Sequence, residues 1–284
     1  MQEDVINLTL GELDFDPDEL KAKYLAERDK RLRDDGNEQY IEVQGDFSDY
    51  VDDPYEKKVA REPLNDTVEV VIIGGGFGGL LLGGRLREQG FTDIRVIEKG
   101  GDFGGTWYWN RYPGAMCDVE SYCYLPMLEE LDYIPKNKYS FAPEIMAHTQ
   151  NIAKHYDLYN NACMSTEVTD LTWDEKEEYW IVSTNRGDRM RARYVAMANG
   201  PLNRPKLPGI PGIDSFKGHT FHTSRWDYDY TGGDASGGLE KLKDKKVGII
   251  GTGATGVQCI PHLGEWSGEL KVVQRTPSSV DVRN

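Results

Sequence analysis

Two glycine-rich turns, each set a fixed distance from a residue suited to reading a ribose, carry the most chemistry in this chain. Gly74, Gly76 and Gly79 stand in GGGFGG, after the apolar run Val68 to Ile73 and before a helical stretch that starts near Phe77. Gly251, Gly253 and Gly256 stand in GTGATG, after Val247 to Ile250 and before the apolar segment Val257 to Leu263. A strand, a tight glycine turn and a helix start let bare backbone approach a pyrophosphate, with unpaired N–H groups and the positive end of a helix dipole facing it. From each first glycine the next strand ends 24 residues on, at Glu98 and at Arg275. A carboxylate there accepts hydrogen bonds from free ribose hydroxyls, as in FAD or NAD, whereas an arginine pairs with the 2′-phosphate of NADP. The bland alternatives are merely tight turns and, for Arg275, a solvated cation at a strand end. Two copies with strand, helix and spaced discriminator favour two dinucleotides in one polypeptide.

The bulk properties narrow the field. At 284 residues the chain can hold one or two domains with proper cores. Net charge is −15, and residues 1–66, with 20 acidic and 9 basic side chains, carry −11 of it. Nucleic acid is an unsuitable partner, because a phosphate backbone demands concentrated Lys and Arg. Cys117, Cys123, Cys163 and Cys259 form no CxxC pair and no zinc spacing, so they read as reduced thiols. His219 and His222 form an HxxH without a third histidine or carboxylate placed to complete a metal site, so no metal is expected. Without a signal peptide or a membrane-length apolar stretch, the expectation is a cytoplasmic protein with no stable membrane association. The glycosylation patterns at Asn7 and Asn65 then carry no meaning, and the sequence leaves homo-oligomerisation open.

The elements that must position the two turns follow in chain order. Residues 1–66 form an acidic extension in which Asp16 caps a helix, Pro17 opens it and Glu19 completes a capping box; this charged, mainly solvated helix is expected to run to about Asp35 and stop at Gly36. Leu20, Tyr24, Leu25 and Leu32 are its few candidates for docking. Residues 67 to about 100 make the first strand–helix–strand unit. Gly100 to Asp118 is too rich in Gly and Pro for a regular element, and its Trp107, Tyr108, Trp109 and Tyr112 read as a clamp for a flat ligand in preference to core filler. Tyr179 to Thr184 and Met190 to Ala198 read as antiparallel strands joined by a turn at 186–188. Prolines 201, 205, 208 and 211 then mark a boundary. The fold class is α/β, with a nucleotide-binding domain over 67–202 and a second over 203–284. Nine residues follow Arg275, too few to cover a doubly wound sheet, so the second domain is expected to be incomplete.

Together these segments, over about residues 66–284, resemble the Baeyer–Villiger monooxygenases. The most specific likeness is Phe216-Lys217-Gly218-His219-Thr220-Phe221-His222-Thr223-Ser224-Arg225-Trp226-Asp227, which is similar to the family fingerprint FxGxxxHxxxW followed by Pro or Asp. Gly105-Thr106-Trp107, Tyr112-Pro113-Gly114 and Asp118 resemble a second family segment, and Ala198-Asn199-Gly200 resembles its hinge between nucleotide domains. Family members are usually much longer, and an arginine that they place near the flavin would lie beyond Asn284.

The resemblance implies two Rossmann-like domains, for FAD and for NADPH, and insertion of one atom of O2 beside a ketone carbonyl to give an ester or lactone through a C4a-peroxyflavin. The N-terminal extension resembles those of members that take bulky or cyclic ketones. FAD contacts are expected from Gly74, Gly76, Phe77, Gly79, Glu98, Lys99, Gly105, Thr106, Trp107, Tyr124 and Val168, and NADPH contacts from Gly251, Thr252, Gly253, Ala254, Thr255, Gly256, Arg275 and Thr276. Asp118 is the candidate catalytic residue, placed beside the flavin to orient that arginine; a loop-capping aspartate is the plainer reading. Phe216, Gly218, His222, Trp226 and Asp227 are the fingerprint positions; the resemblance implies that His222 sits in the linker coupling the domains and moves no proton, and Trp226 reads equally well as packing alone. Competing readings are a relative that oxygenates nitrogen or sulfur and an inactive nucleotide-binding fragment.

Overall fold

The computed structural model describes residues 14–43 and 50–280. The start of the acidic extension, the Asn7 pattern and the last four residues of the chain lie outside them.

The strands are β1 (Tyr40–Glu42), β2 (Thr67–Ile73), β3 (Ile94–Ile97), β4 (Ala162–Cys163), β5 (Val168–Asp174), β6 (Tyr179–Thr184), β7 (Arg189–Met197), β8 (Lys206–Pro208), β9 (Lys246–Ile250) and β10 (Glu269–Val273). The longer helices are α1 (Pro17–Asp29), α2 (Phe77–Glu88), α3 (Ala142–His155) and α4 (Ala254–Trp266). A six-stranded sheet runs in the order β4-β3-β2-β7-β6-β5. Its β4, β3, β2 and β7 are parallel, while β7, β6 and β5 form an antiparallel meander. β2 is the centre because its β-branched run is buried on both faces, from Val68 through Ile73 save for the half-buried Glu69. The hairpin expected over 179–198 is present, and β7 does more than close it: its other edge pairs in parallel with β2 and returns the chain to the first glycine turn.

α3 had no sequence expectation. Its buried Ile145, His148, Thr149, Ile152 and Ala153 follow a 3.6-residue period and pack against α2. Pro143 sits in its first turn. The Gly100–Asp118 segment also departs from expectation, since Thr106–Trp109 forms one helical turn.

The second glycine turn lies between β9 and α4, and β10 pairs with β9 in a two-stranded parallel sheet. Ile249, Cys259 and Leu263 from this unit share a core with Trp226 and with Trp107, Tyr112, Ala115 and Ile145 from the residues before 203.

The extension requires two corrections. α1 has the expected Asp16 cap, whose carboxylate accepts from Asp18 N at 2.8 Å, but it ends at Asp29 instead of about Asp35. It has no buried residue, and Leu20, Tyr24, Leu25 and Leu32 are all exposed, so no apolar packing extends it further. Second, described parts of it, β1 and Arg61, pair with the main body. β1 pairs antiparallel with β8, and Arg61 grips Asp188 through both oxygens at 2.6 Å.

Asp188 is fully buried at the turn between β6 and β7, where Leu64 N and Thr184 Oγ1 also donate to it at 2.8 and 2.6 Å. Burial alone would raise its pKa; the Arg61, Thr184 and Leu64 hydrogen bonds outweigh burial and hold it well below the usual carboxylate range. A carboxyl depressed on folding stabilises the fold above its unfolded pKa of about 3.9 and loses that contribution as pH falls further. Asp188→Asn should therefore cost about 3 kcal/mol in urea denaturation at pH 7, as breaking a buried pair does, and the gap between variant and parent should narrow below pH 4.

Candidate dinucleotide-binding site

The first turn is shaped by close backbone approach. Gly74 N donates to Ile97 O at 2.8 Å, and Gly74 has φ +111°, so that a side chain there would be strained and its Cβ would lie 2.4 Å from Ala198 O. A Cβ on Gly79 would lie 1.9 Å from Gly74 O, so α2 can cross β2 only where that atom is missing. Gly76 begins α2 with no side-chain cap, which leaves first-turn N–H groups for a ligand.

Two adjoining cavities, of about 160 and 490 Å³, meet at Gly74, Glu98, Asn199 and Asn203, at the carboxyl ends of β2, β3 and β7. Gly76, Phe77, Gly105, Thr106, Trp107 and Tyr124 line the first; Lys99 and Val168 line the second. The structure thus gathers the expected first-nucleotide residues, Asp118 and Gly79 excepted, into one cleft. Gly79 lies beneath it in the crossing just described. Asn203, which bonds Asn199 O at 3.0 Å, was not anticipated; only its place beside the Ala198-Asn199-Gly200 hinge could have flagged it.

Glu98 is 6% exposed and already engaged: Gly75 N and Gly100 N each donate to one of its oxygens at 2.6 Å. Burial pushes its carboxyl up against the opposing pull of these bonds. It therefore ties the glycine turn to the aromatic loop as well as facing the cleft.

The aromatic loop divides its labour. Trp107 Nε1 donates to Tyr124 OH at 2.9 Å, and the Phe77 ring stands edge-on to Tyr124 with centroids 5.4 Å apart. Trp109 also lines the cavity, with the Arg225 guanidinium 3.8 Å from its ring centroid. Tyr108 and Tyr112 do not serve as a clamp. Their hydroxyls are fixed to Asp53 at 2.5 Å and to Gln258 at 2.8 Å, which makes them core. Asp118 is exposed, does not line either cavity and makes no ion pair among the described residues.

At the second turn Gly251 has φ +106° and a Cβ on Gly256 would lie 2.6 Å from Gly251 O, the same crossing constraint as in the first. Gly253, which begins α4 without a side-chain cap, faces open space. Thr252 Oγ1 accepts from Gln274 Nε2 at 3.0 Å and donates to Thr276 O at 3.4 Å, while Ala254 and Thr255 form the first turn of α4. Arg275 lies two residues past β10, exposed, with its guanidinium donating to Gln39 Oε1 and to Tyr40 OH. That neighbourhood was invisible in the sequence, which separates these residues by more than two hundred positions.

The fingerprint segment is a packing and capping device. Trp226 is buried, and its Nε1 donates to Thr231 Oγ1 at 3.1 Å; Asp227 caps the following helical turn by accepting from Tyr230 N at 2.9 Å. His219 pairs with Asp227 at 2.8 Å and stacks on Tyr230, whereas His222 accepts from Ser224 N through Nδ1 at 3.1 Å, so the two histidines serve different partners. Phe216 is exposed, and its ring lies over Gly218. The Tyr112-Pro113-Gly114 corner meets α4: Gln258 Nε2 donates to Met116 O at 2.9 Å, and a Cβ on Gly114 would lie 2.6 Å from Gln258 O.

Residues 71–281 match the pyridine nucleotide-disulphide oxidoreductase family, and the chain belongs to it. Within that class it is closely similar to Baeyer–Villiger monooxygenases. One from Streptomyces coelicolor is 57% identical over 265 residues, which cover 93% of this chain and 44% of the relative. The fold matches that of the polycyclic ketone monooxygenase from the fungus Thermothelomyces thermophila, with TM-score 0.86, 41% identity, and coverage of 92% of this chain and 44% of that one. It also matches the OTEMO complex with FAD and NADP, with TM-score 0.67, 37% identity, and coverage of 74% and 39%. The chain spans about half the length of the curated relatives it matches. No helix among the described residues is long and apolar enough to cross a membrane.

Burial, with Arg225 adding to it, lowers the His222 pKa to about 4. Its folded pKa thus lies below an unfolded value of about 6.5, so its neutral form stabilises the protein fully above pH 6.5 and that contribution is lost as pH falls toward 4. The loss amounts to roughly 3 kcal/mol. His222→Asn keeps an acceptor for Ser224 N and removes the titration, so its denaturation midpoint should vary less than the parent's between pH 7 and pH 4.

Proposed function

We propose that the chain is the nucleotide-binding part of an FAD- and NADPH-dependent Baeyer–Villiger monooxygenase, which inserts one oxygen atom of O2 beside the carbonyl of a bulky or cyclic ketone to give an ester or lactone. The observation that supports this best is the pair of glycine turns with opposite discriminators, Glu98 and Arg275, on either side of a shared core that contains the fingerprint tryptophan. In this reading residues 67–202 and 203–284 are two Rossmann-like units, with the acidic segment before them serving partly as a tether.

The residues present fit both dinucleotides. Gly76 and Gly253 leave the helix starts bare, and the cleft continues from the Lys99–Val168 end, suited to adenosine, to the Phe77–Trp107–Tyr124 wall, suited to a flat ring. FAD held in the first cleft would supply the oxygen activation, with NADPH at the second turn as the source of reducing equivalents. The protein's own work is placement. Glu98 holds the turn against the loop and keeps acceptor capacity for ribose hydroxyls; Trp107 and Tyr124 lock one another and exclude water from that wall. Gln258 and Gly114 fix α4 against the aromatic loop, so a ligand at the second turn is held in register with one in the first cleft. Asp118 presents an exposed carboxylate, available to orient a cation arriving from outside the described residues.

Arg275→Ala tests the cofactor assignment. A charge-assisted pair with a phosphate is worth about 1.5–3 kcal/mol, so the variant should bind NADPH at least tenfold more weakly while NADH affinity changes less than twofold. Equal losses for the two nucleotides would remove the assignment.

A further inference from the structure

Arg275 does not stand alone at its strand end. Its guanidinium donates to Gln39 Oε1 and, at 3.4 Å, to Tyr40 OH, and it forms no ion pair among the described residues. Both partners come from the acidic N-terminal segment. They are fixed in place by main-chain bonds, with Tyr40 paired to Pro208 and Ile41 to Leu207, and Gly209 N donating to Gln39 O at 2.8 Å. Gln39 is held further through its amide nitrogen, which donates to Gly36 O.

The chemistry of the two partners is informative. The surrounding stretch carries Asp34, Asp35, Glu38 and Glu42, yet the residues that meet the guanidinium are uncharged. A carboxylate in either place would neutralise Arg275 and compete with an incoming anion. A carboxamide oxygen and a phenol fix its direction and leave its charge intact. The phenol can also turn its proton toward a phosphate oxygen.

We propose that Gln39 and Tyr40 are specificity-determining residues of the second nucleotide site: Gln39 positions the Arg275 guanidinium, and Tyr40 adds a hydrogen bond to the 2′-phosphate of an adenosine ribose. This rests on the NADPH reading and deepens it, since it gives the N-terminal segment a part in choosing between phosphorylated and unphosphorylated nicotinamide nucleotides.

The test is calorimetric titration of the 284-residue chain with 2′,5′-ADP and, separately, with ADP, which lacks the 2′-phosphate. Gln39→Ala combined with Tyr40→Phe should weaken 2′,5′-ADP about tenfold and ADP less than twofold. Gln39→Glu, nearly isosteric at a half-buried position, should weaken 2′,5′-ADP more than Gln39→Ala does and leave ADP unchanged, a result that a merely structural role would not give. If the Gln39 and Tyr40 variants bind 2′,5′-ADP as the parent does, or more tightly, while Arg275→Ala abolishes the preference for it, the inference is overturned and the cofactor reading stands. If Arg275→Ala leaves that preference intact, the cofactor reading fails and takes the inference with it.

Discussion

The arrangement depends on how closely a helix can cross the strand that feeds it. At Gly79 and again at Gly256 the helix backbone passes the carbonyl of the turn's first glycine at a distance that admits no side chain: an added Cβ would lie 1.9 Å from Gly74 O in one case and 2.6 Å from Gly251 O in the other. This contact aims the open helix start at the end of the parallel strands, where a pyrophosphate can meet bare N–H groups. Everything else, from the aromatic wall to the fingerprint segment, is arranged around these two crossings.

The two turns are coupled by side chains that belong to neither. Gln258 on α4 reaches across to Tyr112 OH and Met116 O, so the second helix is pinned to the loop that walls the first cleft. Arg225, buried and with its pKa lowered by that burial, stacks on Trp109 and donates to Asp52 O and Asn203 O. It thereby joins the N-terminal segment, the hinge and the cavity wall at one point. A guanidinium surrounded by carbonyls and one ring face tolerates burial because most of its donors are used.

Local pattern made the nucleotide units readable from sequence. Strand, glycine spacing and discriminator all lie within short windows, and β2, α2, β9 and α4 stand where those windows put them. What escaped was set by long-range contact. Nothing near Tyr108 indicates that its hydroxyl will meet Asp53, so a core residue looked like part of a clamp. Nothing near Gln39 indicates Arg275. The acidic composition of residues 1–66 implied a solvated appendage, which holds for α1; Arg61, one of nine basic residues there, anchors its end of the segment to Asp188. α3 was legible in principle, since Ile145, Thr149, Ile152 and Ala153 form a plain helical stripe, although it carries no nucleotide motif. Asp118 remains the residue whose expected role depends most on what approaches it, because its carboxylate faces outward.

The central claim is that one polypeptide holds two different dinucleotides side by side. Its most direct test is a competition measurement: saturate the chain with FAD, remove the excess, and titrate with 2′,5′-ADP while following flavin fluorescence and heat. The account predicts one equivalent of 2′,5′-ADP bound without displacement of FAD, with Gly76→Val abolishing only the flavin and Gly253→Val only the second ligand. Mutual displacement at a single site, or loss of both ligands in each variant with the fold intact, would contradict it.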